Sequence, residues 1–100
     1  MELRVQNDIK NINWERVPEI LKEVGMAFHP VEKHQRVFAK SHSVVFIFDG
    51  DVLIGFGRAI SDGECQAAIY DVAVLPAYQG KGIGRLIVQN LVRQTPECNF

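Results

Sequence analysis

The sequence predicts one α/β domain of the α+β type, in which a mixed, mostly antiparallel sheet is flanked by helices. Three apolar runs in the second half of the chain are separated only by short turn sequences, which is typical of an antiparallel meander. Three other segments place apolar side chains at the spacing of amphipathic helices. A length of 100 residues accommodates a single small domain over residues 1–100.

The N-terminal part of the chain predicts a short strand and two helices. Leu3 and Val5 alternate with polar residues, which indicates a strand over about residues 2–6. Residues 11–13 offer helix-capping side chains and Gly25 offers a stop, and the apolar positions between them are Trp14, Val17, Leu21 and Val24. Pro30 predicts the start of a second helix over residues 31–40.

The remaining elements form a three-stranded meander that leads into a third helix. Residues 44–48 are continuously apolar, and a return strand over residues 52–60 contains Gly55 and Gly57, which suggest a bulge or a close backbone approach. A third strand is stopped by Pro76. The final helix ends before residues 95–96, and the apolar side chains that share one of its faces are Ile83, Leu86, Ile87 and Leu91.

A glycine-rich loop joins the last strand to the last helix. Gly80, Gly82 and Gly84 lie within five residues, with Lys81 between the first two and Arg85 after the third. Backbone N–H groups of such a loop, together with a helix N-terminus, favour an anionic ligand that carries phosphate. The Walker pattern fails because no Ser or Thr follows Lys81, and the dinucleotide pattern fails because the third glycine comes one residue early.

The loop does match a Gln/Arg-x-x-Gly-x-Gly/Ala pattern that begins at Gln79, between an apolar strand ending at Pro76 and the helix that follows Arg85. On these residues, and in its order of elements, the chain resembles the GNAT superfamily of N-acetyltransferases. The resemblance implies acetyl-CoA as cosubstrate and transfer of its acetyl group to a primary amine. It further implies that the pantetheine arm pairs with Val72, Ala73 and Val74. The pyrophosphate would be held by Gln79, Gly80, Lys81, Gly82, Ile83, Gly84 and Arg85.

The catalytic and acceptor-binding residues are expectations of the same resemblance. Asp71 lies beside the expected thioester, where it would act either as the general base or as a structural hydrogen-bonding carboxylate. The segment of residues 25–40 would form the acceptor side, with Phe28, His29 and His34 as candidates for binding the substrate. The histidine spacing comes with no carboxylate or cysteine pattern, so we expect no metal site.

Composition excludes several other classes of protein. A net charge of −1 argues against binding to nucleic acid or to an anionic membrane. No signal peptide and no apolar segment of membrane-spanning length is present. Cys65 and Cys98 lack metal-ligand spacing, which favours reduced thiols in an intracellular, cytoplasmic protein.

The last residues predict the beginning of a further strand. In the GNAT fold a fifth strand and further elements follow the third helix, so the chain is similar to the front part of such an enzyme, incomplete after residue 100. The open edge of the fourth strand would favour a homodimer or strand exchange, and we expect little acetyl transfer by residues 1–100 alone. The alternatives are a non-catalytic acyl-CoA-binding or sensing module and an inactive dimerising remnant.

Overall fold

The computed structural model describes all 100 residues and contains four strands and three α-helices in the predicted order. The strands pair in the order β1-β2-β3-β4, and every neighbouring pair is antiparallel. The predicted fold class is therefore confirmed, and the second helix has the predicted bounds. The elements are β1 (Leu3–Gln6), α1 (Arg16–Glu23), α2 (Val31–Lys40), β2 (Ser43–Asp49), β3 (Val52–Ser61), β4 (Ala67–Val74) and α3 (Ile83–Arg93).

The start of α1 differs from the sequence prediction. The helix begins at Arg16, so Trp14 lies in the preceding turn, and no side chain caps the helix N-terminus. The backbone carbonyl of Asn13 accepts the Arg16 N–H instead (3.1 Å). Trp14 is nevertheless a core anchor, because its ring packs edge-on against Phe38 and Phe46.

The end of α1 follows the prediction. Gly25 has a left-handed φ of +79° and ends the helix. Its N–H donates to the carbonyl of Lys22, and the Met26 N–H donates to that of Leu21. These two hydrogen bonds are the pair that defines a Schellman motif.

Two hydrophobic cores lie on opposite faces of the sheet. The α1 and α2 side is filled mainly by aromatic and aliphatic side chains around Phe38, Phe46 and Phe56. The α3 side is smaller and depends on the helix face predicted above. Its buried members are Val45, Ile47, Ile54, Ala59, Ile83, Ile87 and Leu91.

The glycines of β3 mark a close approach of α3. A Cβ atom at Gly57 would lie 2.8 Å from a methyl carbon of Ile87 and 3.2 Å from one of Leu91. A Cβ at Gly55 would lie 3.0 Å from the Ala73 carbonyl oxygen. The predicted bulge is also present in β3, because its pairing with β2 shifts register between Ile47 and Phe48 and leaves Ile54 without a partner. A second bulge lies in β4, where Asp71 and Val72 stand opposite Gly57 alone.

The last residues pair with the beginning of β4. Asn99 forms an isolated parallel bridge with Gln66, and no fifth strand forms. The Asn99 N–H donates to the Cys65 carbonyl (2.8 Å), and the Ala67 N–H donates to the Asn99 carbonyl (2.9 Å). No helix has the length and apolar character needed to cross a membrane.

We predict that Gly57→Ala destabilises the protein by about 1–3 kcal/mol, because the added methyl group displaces α3 from the sheet. Urea unfolding monitored by circular dichroism measures this change. The matched control is Gly84→Ala, since a Cβ at Gly84 would have no atom within 4 Å. Equal stability of the Gly57 variant and the parent would contradict the close packing of α3 on β3.

Candidate functional site

A tight connection carries the chain from β4 to α3. Residues Pro76–Tyr78 form a single 3-10 turn that the sequence analysis did not predict. The Tyr78 N–H donates to the Leu75 carbonyl, and the Gln79 N–H donates to the Pro76 carbonyl. These bonds hold the start of the glycine loop close to the end of β4.

The loop presents a run of unused hydrogen-bond donors. The first backbone bond of α3 joins the Leu86 N–H to the Gly82 carbonyl (3.0 Å). The N–H groups of residues 80–85 donate no hydrogen bond to any backbone or side-chain acceptor of the chain. Because this run surrounds a helix N-terminus, it provides convergent donors and the positive end of the helix dipole.

Glycine occupies the three positions of the loop for different structural reasons. Gly80 and Gly82 have φ values of +78° and +83°, which favour glycine for the conformation itself. Gly84 lies in the first turn of α3 with no such φ, and a Cβ there would meet nothing within 4 Å. A side chain at this position would therefore extend into open space beside the start of α3.

Charged and amide side chains complete the loop. Lys81 and Arg85 are exposed, and neither forms an ion pair within the chain. The first turn of α3 contains no acidic residue, so the local charge is positive. The Gln79 side chain points back to the strand, where its amide donates to the Val74 carbonyl (2.9 Å), so it braces the loop against β4.

The bulge of β4 centres on Asp71, the residue predicted to be catalytic or structural. Asp71 is one of two non-glycine residues with positive φ, at +57°. Its carboxylate accepts a hydrogen bond from Arg58 Nε at 2.7 Å, and both side chains are largely buried. Arg58 also donates to the Ser41 hydroxyl (3.3 Å) and lies against the Tyr70 ring (5.4 Å to the centroid). The sequence analysis did not identify Arg58, whose role depends on the register of β3 against β4.

Beyond the bulge, β4 is an edge strand. Ala73 pairs with Phe56 and Val74 pairs with Gly55 on the inner side. On the outer side, β4 has no neighbouring strand. The predicted pantetheine-binding residues Val72, Ala73 and Val74 therefore lie along an open edge that leads into the glycine loop.

The acceptor-side candidates differ in their exposure. Phe28 is exposed, whereas His34 on α2 is buried. Nε2 of His34 accepts a hydrogen bond from the His29 backbone N–H (2.9 Å), which requires the proton of the neutral ring to be on Nδ1. Burial lowers the pKa of His34, and the nearby His29 lowers it further.

The charges at the bulge also act on His34. The charge of Asp71 raises its pKa, and that of Arg58 lowers it. The structure brings His29 and His34 together, with ring centroids 5.5 Å apart, and it places the residues from Gln79 to Arg85 after the C-terminal end of β4. The centroid of the Phe28 ring lies 6.0 Å from the Lys22 ammonium.

A second polar contact holds the loop from the side of β2. The Tyr78 hydroxyl donates to a carboxylate oxygen of Asp49 (2.6 Å), and the other oxygen accepts the Glu2 N–H (2.8 Å). The bond to Tyr78 lowers the pKa of Asp49 and raises that of Tyr78. Asp49 lies in the sequence predicted as a turn, and its link to Tyr78 is long-range, so no local pattern predicts it.

Similarity to known proteins agrees with this geometry. The model of the acetyltransferase (GNAT) family matches residues 7–100. An uncharacterized N-acetyltransferase ycf52 from Pyropia yezoensis is 30% identical over 95 residues, which cover 91% of this chain and 55% of that protein. GCN5-related N-acetyltransferase 3, chloroplastic, from Arabidopsis thaliana is 56% identical over 41 residues, which cover 41% of this chain and 17% of that protein.

A solved structure has the same fold. A probable acetyltransferase of unknown function from meticillin-resistant Staphylococcus aureus superposes with a TM-score of 0.86 and 30% identity. The match covers 97% of this chain and 72% of that protein. The chain spans about half the length of the ycf52 relatives it matches. Because the family model matches residues 7–100 of this chain, the chain belongs to the GNAT family of acetyltransferases.

Proposed function

We propose that this protein binds acetyl-CoA and transfers its acetyl group to a primary amine. The observation that supports the proposal most directly is the run of free N–H groups at residues 80–85, next to the unpaired charges of Lys81 and Arg85. A pyrophosphate presents several acceptor oxygens and negative charge, which matches this set of donors. Open space above Gly84 lets such a group approach the backbone.

The coenzyme would extend from this loop along the edge of β4. Its pantetheine arm carries amide groups that can pair with an open strand edge, and Val72, Ala73 and Val74 provide that edge. Gln79 would contribute by bracing the loop through its bond to the Val74 carbonyl. This path brings the thioester toward the bulge at Asp71.

Acetyl transfer requires a neutral amine at the thioester carbon. The amine nitrogen forms a bond to the acetyl carbonyl carbon, the carbon–sulfur bond breaks, and the nitrogen loses a proton while the thiolate gains one. Holding donor and acceptor together supplies much of the rate gain in such reactions. Phe28, His29 and His34 are proposed for the acceptor side, and the charge of Asp71 acts on the pKa of His34.

The sequence left two roles open for Asp71, that of the general base and that of a structural hydrogen-bonding carboxylate. We propose the structural role. Its carboxylate is bonded to Arg58 at 2.7 Å, and Arg58 is itself held by the Ser41 hydroxyl. This pair fixes the bulge, and through it the direction of the strand edge beside the thioester. Asp71 would thus be a positioning residue, and a catalytic role for it stays a prediction.

One observation favours a second function, coenzyme binding without transfer. Two acid–base groups near the proposed coenzyme path are already engaged, Asp71 by Arg58 and Tyr78 by Asp49. The free donors of the loop, in contrast, need no further residue to bind an anion. Two measurements separate the functions, the affinity for coenzyme A and the turnover with a panel of primary amines. Binding without turnover supports the second function. The cytoplasmic location and the homodimer stay predictions.

We predict that Gly84→Asp weakens acetyl-CoA binding at least about 100-fold, because a carboxylate in front of the loop repels the pyrophosphate and occupies its space. Isothermal titration calorimetry measures the affinity. An acidic residue in the first turn of a helix is otherwise favourable, so the variant remains folded.

The matched control is Gly84→Ala, since the loop pattern admits Gly or Ala at this position. We expect it to raise the free energy of unfolding by about 0.5–1 kcal/mol, because alanine favours the helix, and to retain binding. Undiminished affinity in the folded Gly84→Asp variant would contradict the assignment of the loop to the coenzyme site.

For the ion pair we predict that Asp71→Asn and Arg58→Met each cost about 2 kcal/mol of stability and that the double variant costs little more, because both single changes break one interaction. Acetyl-CoA affinity and turnover should fall together in all three variants. Urea unfolding and single-turnover kinetics provide the measurements. Loss of turnover in Asp71→Asn alone, with stability intact, would instead identify Asp71 as the general base.

Stability should also depend on the protonation of His34. Its folded pKa lies below the ordinary value of 6.5, so the folded state binds the proton less readily than the unfolded state. The contribution of neutral His34 to the free energy of unfolding is fully present above about pH 6.5, and it is lost as the pH falls through the folded pKa. Protonation also removes the acceptor for the His29 N–H.

The measurement is the free energy of unfolding between pH 7.5 and pH 5, a range chosen to span the ordinary histidine pKa of roughly 6.5. The control is His34→Gln, which cannot titrate and retains an acceptor oxygen. The carboxylates with lowered pKa values, Asp49 and Asp62, titrate below this range. Identical pH slopes for the variant and the parent would contradict the assignment.

A further inference from the structure

Cys65 and Cys98 lie at the one place where the end of the chain pairs with β4. They immediately precede the two partners of the parallel bridge, Gln66 and Asn99. Two backbone bonds define this register, from Asn99 N–H to the Cys65 carbonyl (2.8 Å) and from Ala67 N–H to the Asn99 carbonyl (2.9 Å). The cysteines are 33 positions apart in sequence, but the fold makes them neighbours across this bridge.

The bridge brings the backbones next to the two cysteines close together. Paired segments lie about 4.8 Å apart, and Cys65 and Cys98 each stand one residue before the bridge. Disulfides form at Cα separations of roughly 4.4–6.8 Å. Both thiols are free in the structure.

The surroundings of the two thiols are polar and open. Cys98 Sγ lies 3.3 Å from the Ser61 hydroxyl, and Cys65 Sγ donates to a carboxylate oxygen of Asp62 at 3.3 Å. Cys65 is exposed and Cys98 is half-buried. The Asp62 carboxylate raises the pKa of the Cys65 thiol, and the charge of Cys98 adds to the rise.

We propose that Cys65 and Cys98 form a reversible disulfide when they meet a small-molecule disulfide oxidant such as oxidised glutathione. The Cys98 thiolate attacks one sulfur of the oxidant, forms a mixed disulfide and releases one thiol. The Cys65 thiolate then attacks the Cys98 sulfur, closes the intramolecular bond and releases the second thiol. Two protein thiols are oxidised, one external disulfide is reduced, and the two protons pass to the released thiolates.

Asp62 controls which cysteine reacts first. Its carboxylate accepts hydrogen bonds from the Cys65 thiol and from the N–H groups of Glu64, Cys65 and Gln66. Because the negative charge disfavours the Cys65 thiolate, the first attack comes from Cys98. Neutralising that charge should therefore speed the second, ring-closing step.

The disulfide would close a ring around one functional unit. Residues 65–98 contain β4, the glycine loop and α3 with both of its ends. Oxidation would thus tie the whole segment proposed to bind the coenzyme into a covalent loop. Cross-links that close loops of this size restrict the unfolded chain, so the oxidised protein should be more stable.

The test is incubation of the purified, reduced protein with excess oxidised glutathione, followed by mass spectrometry of the intact chain and its proteolytic peptides. We expect a monomer lighter by two hydrogen atoms, with a peptide that joins Cys65 to Cys98. Its melting temperature should rise by about 10 °C or more and should return on reduction with dithiothreitol. These readouts do not depend on coenzyme binding or acetyl transfer.

Three variants provide the controls. Cys65→Ser should stop at the glutathione mixed disulfide on Cys98, and Cys98→Ser should show no ring and no rise in melting temperature. Asp62→Asn should close the ring several-fold faster near neutral pH. Mixed disulfides that never resolve in the parent protein, disulfide-linked dimers in place of the ring, or an unchanged melting temperature of the cross-linked monomer would each overturn the proposal.

Discussion

The close packing of α3 on β3 is the constraint on which the candidate site depends. Gly57 leaves room for Ile87 where any side chain would collide with it. This contact sets the height of α3 above the sheet. The short connection through Pro76–Tyr78 then sets where the helix begins relative to the end of β4. The free N–H groups of the loop therefore have a defined position beside the strand edge, although no side chain of the loop is buried except Ile83.

Much of the fold follows from local sequence patterns because its signals are local. The bounds of α2, the two strand turns and the buried face of α3 all depend on residues within a few positions of one another. The predicted start of α1 was wrong because Trp14 has the spacing of a helical residue. It lies instead in the preceding turn, from which its ring packs on the aromatic core. Tertiary packing outweighs periodicity there.

The glycine loop was predictable, and the residues that hold it were not. Gly80 and Gly82 are recognisable from sequence because their φ values favour glycine, and Lys81 and Arg85 lie beside them in the chain. Arg58, Ser41 and Asp49 act over long sequence separations through the register of the sheet. A register shift of one residue would move Arg58 to the other face of β3. Such contacts are properties of the assembled sheet.

The two ends of β4 have different neighbours, and this difference gives the site its shape. At its beginning the strand is bonded on its outer side to Asn99 through the backbone. Farther along, the bulge at Asp71, held by Arg58, bends the strand, and the outer edge from there to Val74 has no pairing strand. Bulges increase local twist and divert a strand from its neighbours. The outer edge of β4 is therefore paired only at its beginning, and it is open from the bulge toward the free N–H groups at the start of α3.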